Sequence, residues 1–221
     1  MEMLLWLHNH CNDQWTRDAM DNAAEGGQLA VVQWMHANRK EGCSTMCMNL
    51  AAKMGHMDLV KWLHAHHTEG CTSLAMDFAA TGGHLEVVKW LHENRPEGCT
   101  TKAMDGAAQN GHFEVVKWLH ANRAKGCTTA AMDGAAANGH LEIVQWLYAN
   151  RTEGFTTNAV DHAAGEGHLD VIQFLYANRT EGGTAQADVY AHDNNQDAVL
   201  RWFEEQNIDL PIPGHREDEE D

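Results

Sequence analysis

The sequence predicts an all-α fold, a solenoid of helix–turn–helix units, and two observations lead to this prediction. The first is a period of 28 residues, seen clearly in the unit Glu97–Arg123. A column of aromatic residues keeps that period in register: Trp6, Trp34, Trp62, Trp90, Trp118, Trp146, Phe174 and Trp202. The second is that each unit contains two segments with helical patterning. A fixed period of this length is typical of solenoids.

The first helix of the unit is predicted to begin at Thr100 and Thr101, whose hydroxyls can accept hydrogen bonds from unpaired N–H groups. Asp105 lies in its first turn, where the helix dipole favours a negative charge. The second helix, from His112 to about Asn122, has apolar side chains at helical spacing: Phe113, Val115, Val116, Trp118 and Leu119. Neither helix can bury its apolar side alone, so adjacent units are expected to stack.

These residues resemble the ankyrin repeat family. The matching residues are Ala107-Ala108, Gly111-His112 and the block 114–119, which reads EVVKWL and recurs with few changes along nearly the whole chain. The resemblance implies that the first helices line a concave groove that binds partners. Two departures stand out: the segment 102–105 replaces the family's Thr-Pro-Leu-His start, and the period is about five residues shorter. The shorter period removes residues of the family's β-hairpin finger, so we expect fingers that are shortened or absent.

The repeat register predicts three regions. Residues 1–13 match only a second helix, which indicates either a native half-repeat or a fragment of a longer array. Residues 14–209 are predicted to form seven ankyrin-like repeats. The last of them is expected to be a C-terminal cap, because Asp188 replaces the core methionine of the earlier repeats from Met20 to Met132. Residues 210–221 contain an acidic run and are expected to be a disordered tail.

Composition limits the classes of partner. The formal net charge of −17 argues against nucleic acid, which needs clustered Lys and Arg. No stretch is long and apolar enough to span a bilayer, and no secretory signal precedes the repeats. We therefore predict no membrane partner and an intracellular, cytoplasmic protein. No cofactor and no enzymatic activity are predicted, because stacking keeps like columns in parallel rows and brings no catalytic group together.

The cysteines are interpreted by column. Four of them share one repeat position with Trp15 and Phe155: Cys43, Cys71, Cys99 and Cys127. Neighbouring helices lie roughly 8–10 Å apart, and a disulfide needs Cα atoms within about 7 Å, so we expect free thiols and a reducing compartment. A position that also accepts Trp and Phe is interpreted as an apolar packing site, with redox or metal chemistry as the alternative.

Two columns of histidines are interpreted as structural. The histidine after glycine, such as His56, is replaced by Gln28 and Gln196, which favours hydrogen bonding to the loop over metal binding. The second column changes from histidine to Tyr148 and Tyr176, which suits a half-buried position with one polar end. The densest cluster is His64, His66 and His67. His64 and His67 are predicted to share a helix face, but two ligands are fewer than zinc normally takes, so no metal site is predicted.

A loop column of arginines accompanies glutamates two residues later, as in Arg95 and Glu97. It is interpreted as a set of surface ion pairs, with an acid-binding arginine ladder as the alternative.

The irregular columns indicate function. Four positions of the first helix vary freely between repeats and follow i, i+4, i+7 and i+8, so they share one helix face. Across two repeats this face has large apolar residues flanked by lysines, which points to a binding site more than scattered residues would. The predicted partner-binding residues are Met46, Leu50, Lys53, Met54, Leu74, Phe78, Lys102 and Gln109.

The leading hypothesis is a non-catalytic scaffold that binds a protein or peptide partner on the concave first-helix face. One alternative is a metal-binding array that uses the histidines and cysteines. Another is a self-assembling solenoid, which would associate through the uncapped N-terminal helix.

Overall fold

The computed structural model of the chain describes residues 16–178 and 182–208. Within these residues the fold is all-α, without strands, so the predicted all-α repeat fold is confirmed and no β-hairpin finger occurs in the part described. The predicted half-repeat at 1–13 and the acidic tail at 210–221 lie outside these residues. Among the described helices, none is both long enough and apolar enough to cross a bilayer.

The helices of the described residues alternate along the chain as first and second helices of successive repeats. The first helices are α1 (Arg17–Glu25), α3 (Thr45–Lys53), α5 (Ser73–Thr81), α7 (Lys102–Gln109), α9 (Thr129–Ala137), α11 (Thr157–Glu166) and α13 (Ala185–Asp193). The second helices are α2 (Leu29–Asn38), α4 (Met57–His66), α6 (Leu85–Asn94), α8 (Phe113–Asn122), α10 (Leu141–Asn150), α12 (Leu169–Asn178) and α14 (Asp197–Glu205).

The first helices begin where the hydroxyl residues predict. The Ser44 hydroxyl accepts from the Met46 N–H at 3.0 Å, and the Thr100 hydroxyl accepts from the Lys102 N–H at 3.1 Å. Equivalent caps occur at Thr72, Thr128, Thr156 and Thr184. Each cap satisfies one of the N–H groups that a helix start leaves without a partner inside the helix.

The chain divides into two compact units, with the boundary between Ala103 and Met104 inside α7. In the first unit, α1, α3 and α5 pack side by side, and each also packs against the second helix that follows it. In the second unit, α9, α11 and α13 pack in the same way against one another and against α10, α12 and α14. Each unit is thus a stack of helix pairs.

The core of each unit comes from residues that recur at one repeat position. A pair of alanines is buried in each first helix from α1 to α11, as at Ala51 and Ala52, and its small side chains let neighbouring first helices approach closely. Methionines such as Met48 and Met76 lie between the helices. Each second helix adds branched apolar side chains, for example Val88. Full burial of such a side chain contributes about 1.5–3 kcal/mol.

The members of the tryptophan column from Trp34 to Trp202 are half-buried and link adjacent repeats through ring contacts. In the first unit, the His36 and His64 rings pack edge-on against Trp62 and Trp90, with ring centroids 5.3 Å and 5.2 Å apart. In the second unit, Tyr148 packs edge-on against Phe174 at 5.7 Å. Imidazole and phenol rings both supply an aromatic edge, which explains why the second histidine column accepts either His or Tyr.

Candidate functional site

The variable face of the first helices contains a group of apolar residues in the first unit. We name Met46, Leu50, Met54, Leu74 and Phe78 the first-helix patch; Met46 and Leu50 lie on α3, Met54 follows its last turn, and Leu74 and Phe78 lie on α5. Met54 is 47% exposed, whereas the other four are half-buried. On the same two helices, Met48 and Met76 are only 1% exposed. The patch is therefore distinct from the core side of these helices.

The sequence predicts that two lysines flank this patch. Lys53 is exposed, but its ammonium group forms an ion pair with Glu25 on α1 at 3.0 Å. Lys102 is also exposed, at the start of α7. An exposed ion pair contributes less than about 1 kcal/mol, so an acidic partner group could compete with Glu25 for Lys53.

Gln109, the remaining predicted contact, belongs to the second unit. Its side chain is exposed and lies over Gly134 on α9, where a Cβ would come within 2.9 Å of the Gln109 Cβ. The variable face of α9 lacks large apolar residues at two positions, because Gly134 and Ala130 stand where α5 has Phe78 and Leu74. Gln109 is therefore described apart from the first-helix patch.

Hydrogen bonds between successive first helices were missed by the sequence reasoning. The Asp77 carboxylate accepts from the Thr100 N–H at 2.7 Å and from its hydroxyl at 2.8 Å. Asp105 and Thr128 repeat this arrangement in the second unit. The detectable signal was a constant spacing of 23 residues between an acidic or amide side chain and a hydroxyl residue. Asp105 therefore joins two repeats, a role beyond the helix dipole interaction that was predicted for it.

Burial changes the pKa of two aspartates that bind threonines in this way. It raises the pKa of Asp105 and of Asp133, although the threonine hydrogen bonds act in the opposite direction. In the repeat that begins at Cys43, Asn49 replaces the aspartate and is fully buried. Its amide donates to the Thr72 hydroxyl and its carbonyl oxygen accepts from the Thr72 N–H. Asparagine thus fills the same position without a charge.

The histidine after glycine bonds to the preceding repeat, as its exchange with glutamine predicted. His56 Nε2 lies 3.1 Å from the backbone oxygen of Glu25, and Gln196 Nε2 donates to the backbone oxygen of Gly165 at 3.3 Å. The imidazole also covers the glycine of that preceding turn. Both observations confirm a structural role for this column.

The arginine column forms ion pairs within its loops. Arg39 donates to Glu41 at 2.7 Å, Arg95 donates to Glu97 at 2.5 Å, and Arg151 pairs with Glu153 through two nitrogens. These contacts confirm the ion pairs, but the side chains of Arg39, Arg95 and Arg151 are only 8%, 17% and 23% exposed, so the pairs are partly buried and not on the surface as predicted. Because each of these guanidinium groups already binds a carboxylate, the acid-binding arginine ladder has no support here.

The three clustered histidines point to different partners. His64 faces Trp90, whereas His66 stacks on Trp62 and places Nδ1 2.8 Å from a backbone oxygen. The prediction that His64 and His67 share a helix face is wrong, because α4 ends at His66 and His67 has an extended backbone. His67 instead places Nδ1 3.3 Å from Cys43 Sγ and 3.5 Å from a Glu69 oxygen.

The cysteine column is buried, as expected for a packing site. Among the residues described, Cys43, Cys47, Cys71, Cys99 and Cys127 form no disulfide. Burial raises the pKa of Cys71 and raises that of Cys127 to about 11. The pKa of Cys43 is lowered instead, because its sulfur accepts a hydrogen bond from Cys47. The pKa of Cys43 is thus shifted in the opposite direction from those of Cys71 and Cys127.

The last described repeat has an open groove on α13 and α14. Its volume is about 780 Å³, and its lining combines the apolar Val189, Leu200 and Ile208 with the polar Asp188 and Glu204. Asp188 is exposed, as a polar cap requires, but Val189 is 45% exposed as well. The capping role of this repeat stays a prediction.

Comparison with known families agrees with the repeat geometry. A family model described as ankyrin repeats (3 copies) matches residues 104–191. A second model, described as ankyrin repeats (many copies), matches residues 20–64, 47–92 and 76–120. Together these matches cover more than half of the chain. No curated protein matches it.

Proposed function

Because the chain belongs to the ankyrin repeat family, we propose that it is a non-catalytic scaffold that binds a protein or peptide on the first-helix patch. Ankyrin repeats are generally protein–protein interaction modules and are typically without catalytic activity. The family relationship supports the general role. The choice of face rests on the residues of this chain.

One observation supports this face above others: large apolar side chains remain partly exposed on two adjacent first helices. Met54 is 47% exposed, and Leu50, Leu74 and Phe78 keep part of their surface in solvent. In the second unit, the columns of Leu74 and Phe78 have Ala130 and Gly134 in α9, and Asn158 and His162 in α11. Grouped apolar exposure of this kind marks interaction sites more often than single exposed residues do.

The patch favours a partner with an apolar anchor. An amphipathic helix or a short peptide could bury a leucine or an aromatic ring between Leu50 and Phe78, on helices that pack side by side. Lys53 and Lys102 would favour acidic residues beside that anchor, because opposite charges at an interface rim select the partner. Gln109, in the second unit, is proposed as a separate polar contact.

A displayed peptide library provides the test. Peptides selected on the full chain would be measured by fluorescence anisotropy against wild type, Leu74→Glu and the matched control Ala130→Glu, which changes the same repeat position in the second unit. We expect Leu74→Glu to weaken binding at least about 30-fold, as for a hot spot of about 2 kcal/mol, and Ala130→Glu to change it less than about twofold. Thermal unfolding of each variant checks that both fold.

Equal loss of binding in both variants, or no loss in Leu74→Glu, would contradict the choice of the first-helix patch.

The predicted intracellular location stays a prediction. So does self-association through the N-terminal helix, since residues 1–13 lie outside the described residues.

A further inference from the structure

We propose that Cys43, His67 and Glu69 form a binding site for a divalent metal ion of the zinc class. Cys43 begins the repeat whose final loop contains His67 and Glu69, and all three lie in the first unit. The sulfur, one imidazole nitrogen and one carboxylate oxygen lie within 4.8 Å of one another. These are the three ligand types that zinc takes in proteins.

A comparison between repeats shows what is unusual here. In two other repeats, an arginine lies between the cysteine and the glutamate. Arg95 bonds to Cys71 and Glu97, and Arg151 bonds to Cys127 and Glu153. His67 has the repeat position of these arginines. In those repeats a permanent guanidinium charge therefore lies between the sulfur and the carboxylate. Here a neutral imidazole brings no charge, and its nitrogen electron pair can bind a metal cation.

The two distances to His67 fit tetrahedral coordination, and the Cys43 sulfur and the Glu69 oxygen lie within 4.8 Å of each other. With zinc bonds of about 2.3 Å to sulfur and about 2.1 Å to nitrogen or oxygen, tetrahedral ligand atoms lie roughly 3.4–3.6 Å apart. His67 Nδ1 lies 3.3 Å from Cys43 Sγ and 3.5 Å from Glu69 Oε2. Small side-chain rotations would therefore suffice to admit the ion.

The same distances argue against a catalytic relay. A Cys–His–carboxylate relay uses opposite nitrogens of the imidazole, one toward the thiol and the other toward the carboxylate. Here Sγ and Oε2 both approach Nδ1 of His67. Three donors that converge on one point can share a cation, but they cannot pass a proton along the ring.

The surroundings give the ion charge balance and access. A thiolate and a carboxylate together balance a divalent ion. The His67 side chain is only 7% exposed, and its Nε2 atom is buried without a hydrogen-bond partner among the described residues. Glu69 borders an open cavity of about 280 Å³ that His36 and His66 also line. Solvent or one of these imidazoles could supply a fourth ligand from this side.

Cobalt(II) is a suitable probe, because its bond to a thiolate absorbs in the near ultraviolet and its tetrahedral complexes absorb strongly in the visible. The full reduced chain would be titrated with Co²⁺, and Zn²⁺ would then be added in competition. We expect one equivalent of thiolate-bound Co²⁺ that Zn²⁺ displaces, together with a rise in the unfolding temperature on Zn²⁺ addition.

His67→Arg is the decisive variant, because it restores the residue that neighbouring repeats have at this position and should fold. We expect it to weaken Co²⁺ binding by more than about 100-fold. Loss of a residue that only positions a metal ligand typically weakens binding by about 10- to 100-fold, so a larger effect indicates a direct ligand. Cys43→Ser should remove the thiolate absorption. Cys71→Ser and Cys11→Ser are the controls and should leave it unchanged. Absence of the absorption in wild type, its survival in His67→Arg, or its loss in either control would overturn the proposal.

Discussion

At the scale of single residues, the chain uses one polar contact repeatedly to join its repeats. An acidic or amide side chain on one first helix binds both the N–H and the hydroxyl of the residue that caps the next first helix. Asp77 and Thr100 form this contact in the first unit, and Asp161 and Thr184 form it in the second. Both aspartates are buried, so each carboxylate depends on these two donors for its hydrogen bonds.

Replacement of Asp77 by alanine should lower the free energy of unfolding by about 2 kcal/mol, because the Thr100 N–H loses its partner in a partly buried place. Asp77→Asn is the matched control and should cost less than about 1 kcal/mol, since Asn49 already fills the equivalent position. Urea unfolding followed by circular dichroism measures both variants. Equal destabilisation by the two would show that the charge, and not the hydrogen-bond geometry, matters.

At the scale of helices, the two helices of a repeat are connected by a turn whose glycine has a positive φ. Gly27 follows α1 with φ of +66°, a conformation that side chains with a Cβ rarely adopt. The His56 ring of the next repeat covers it, so that a Cβ would lie 2.5 Å from His56 Cε1. The turn and the histidine column therefore depend on each other.

The adjacent glycines of this turn allow a controlled test. Gly27→Ala should destabilise the protein by about 2–3 kcal/mol, through backbone strain and displacement of His56. Gly26→Ala should be neutral or slightly stabilising, because Gly26 has φ of −74° and its Cβ would meet no atom closer than 3.4 Å. Thermal unfolding compares the variants. A stable Gly27→Ala protein would refute the proposed coupling of turn and histidine.

At the scale of the whole molecule, the dominant property is a formal net charge of −17 that coexists with 16 histidines. A large charge of one sign keeps copies of a protein apart in solution. Histidine is the side chain whose charge changes between pH 5 and 8, so mild acid adds positive charge to this chain. Protonation of all the histidines would bring the formal charge close to zero.

Acidification from neutral pH to about pH 5.5 should therefore promote association of the chain. Each imidazole that gains a proton offsets one negative charge and so reduces the electrostatic repulsion between copies. Light scattering at low ionic strength should increase across this interval while circular dichroism retains the helical signal. Constant scattering together with an intact fold would contradict the expectation.

Much of the fold was predictable, because the signals that define it are local. The period, the hydroxyl caps and the spacing of Val115, Val116 and Leu119 all act within one repeat, and all are confirmed. The bond of Asp77 to Thr100 was missed because it depends on how successive first helices align. The face of His67 was predicted wrongly because α4 ends at His66, the equivalent of Asn122, so His67 already lies outside the helix.

The sequence by itself determined that this protein is a stack of helix pairs, and which columns are free to vary. Periodicity carries that information, because burial of an apolar stripe requires only the right spacing along one helix. Only the tertiary structure decided which side chains meet across 23 or more residues, such as Asp77 with Thr100. Those pairings depend on the alignment of one repeat against the next, which packing sets and no local pattern encodes.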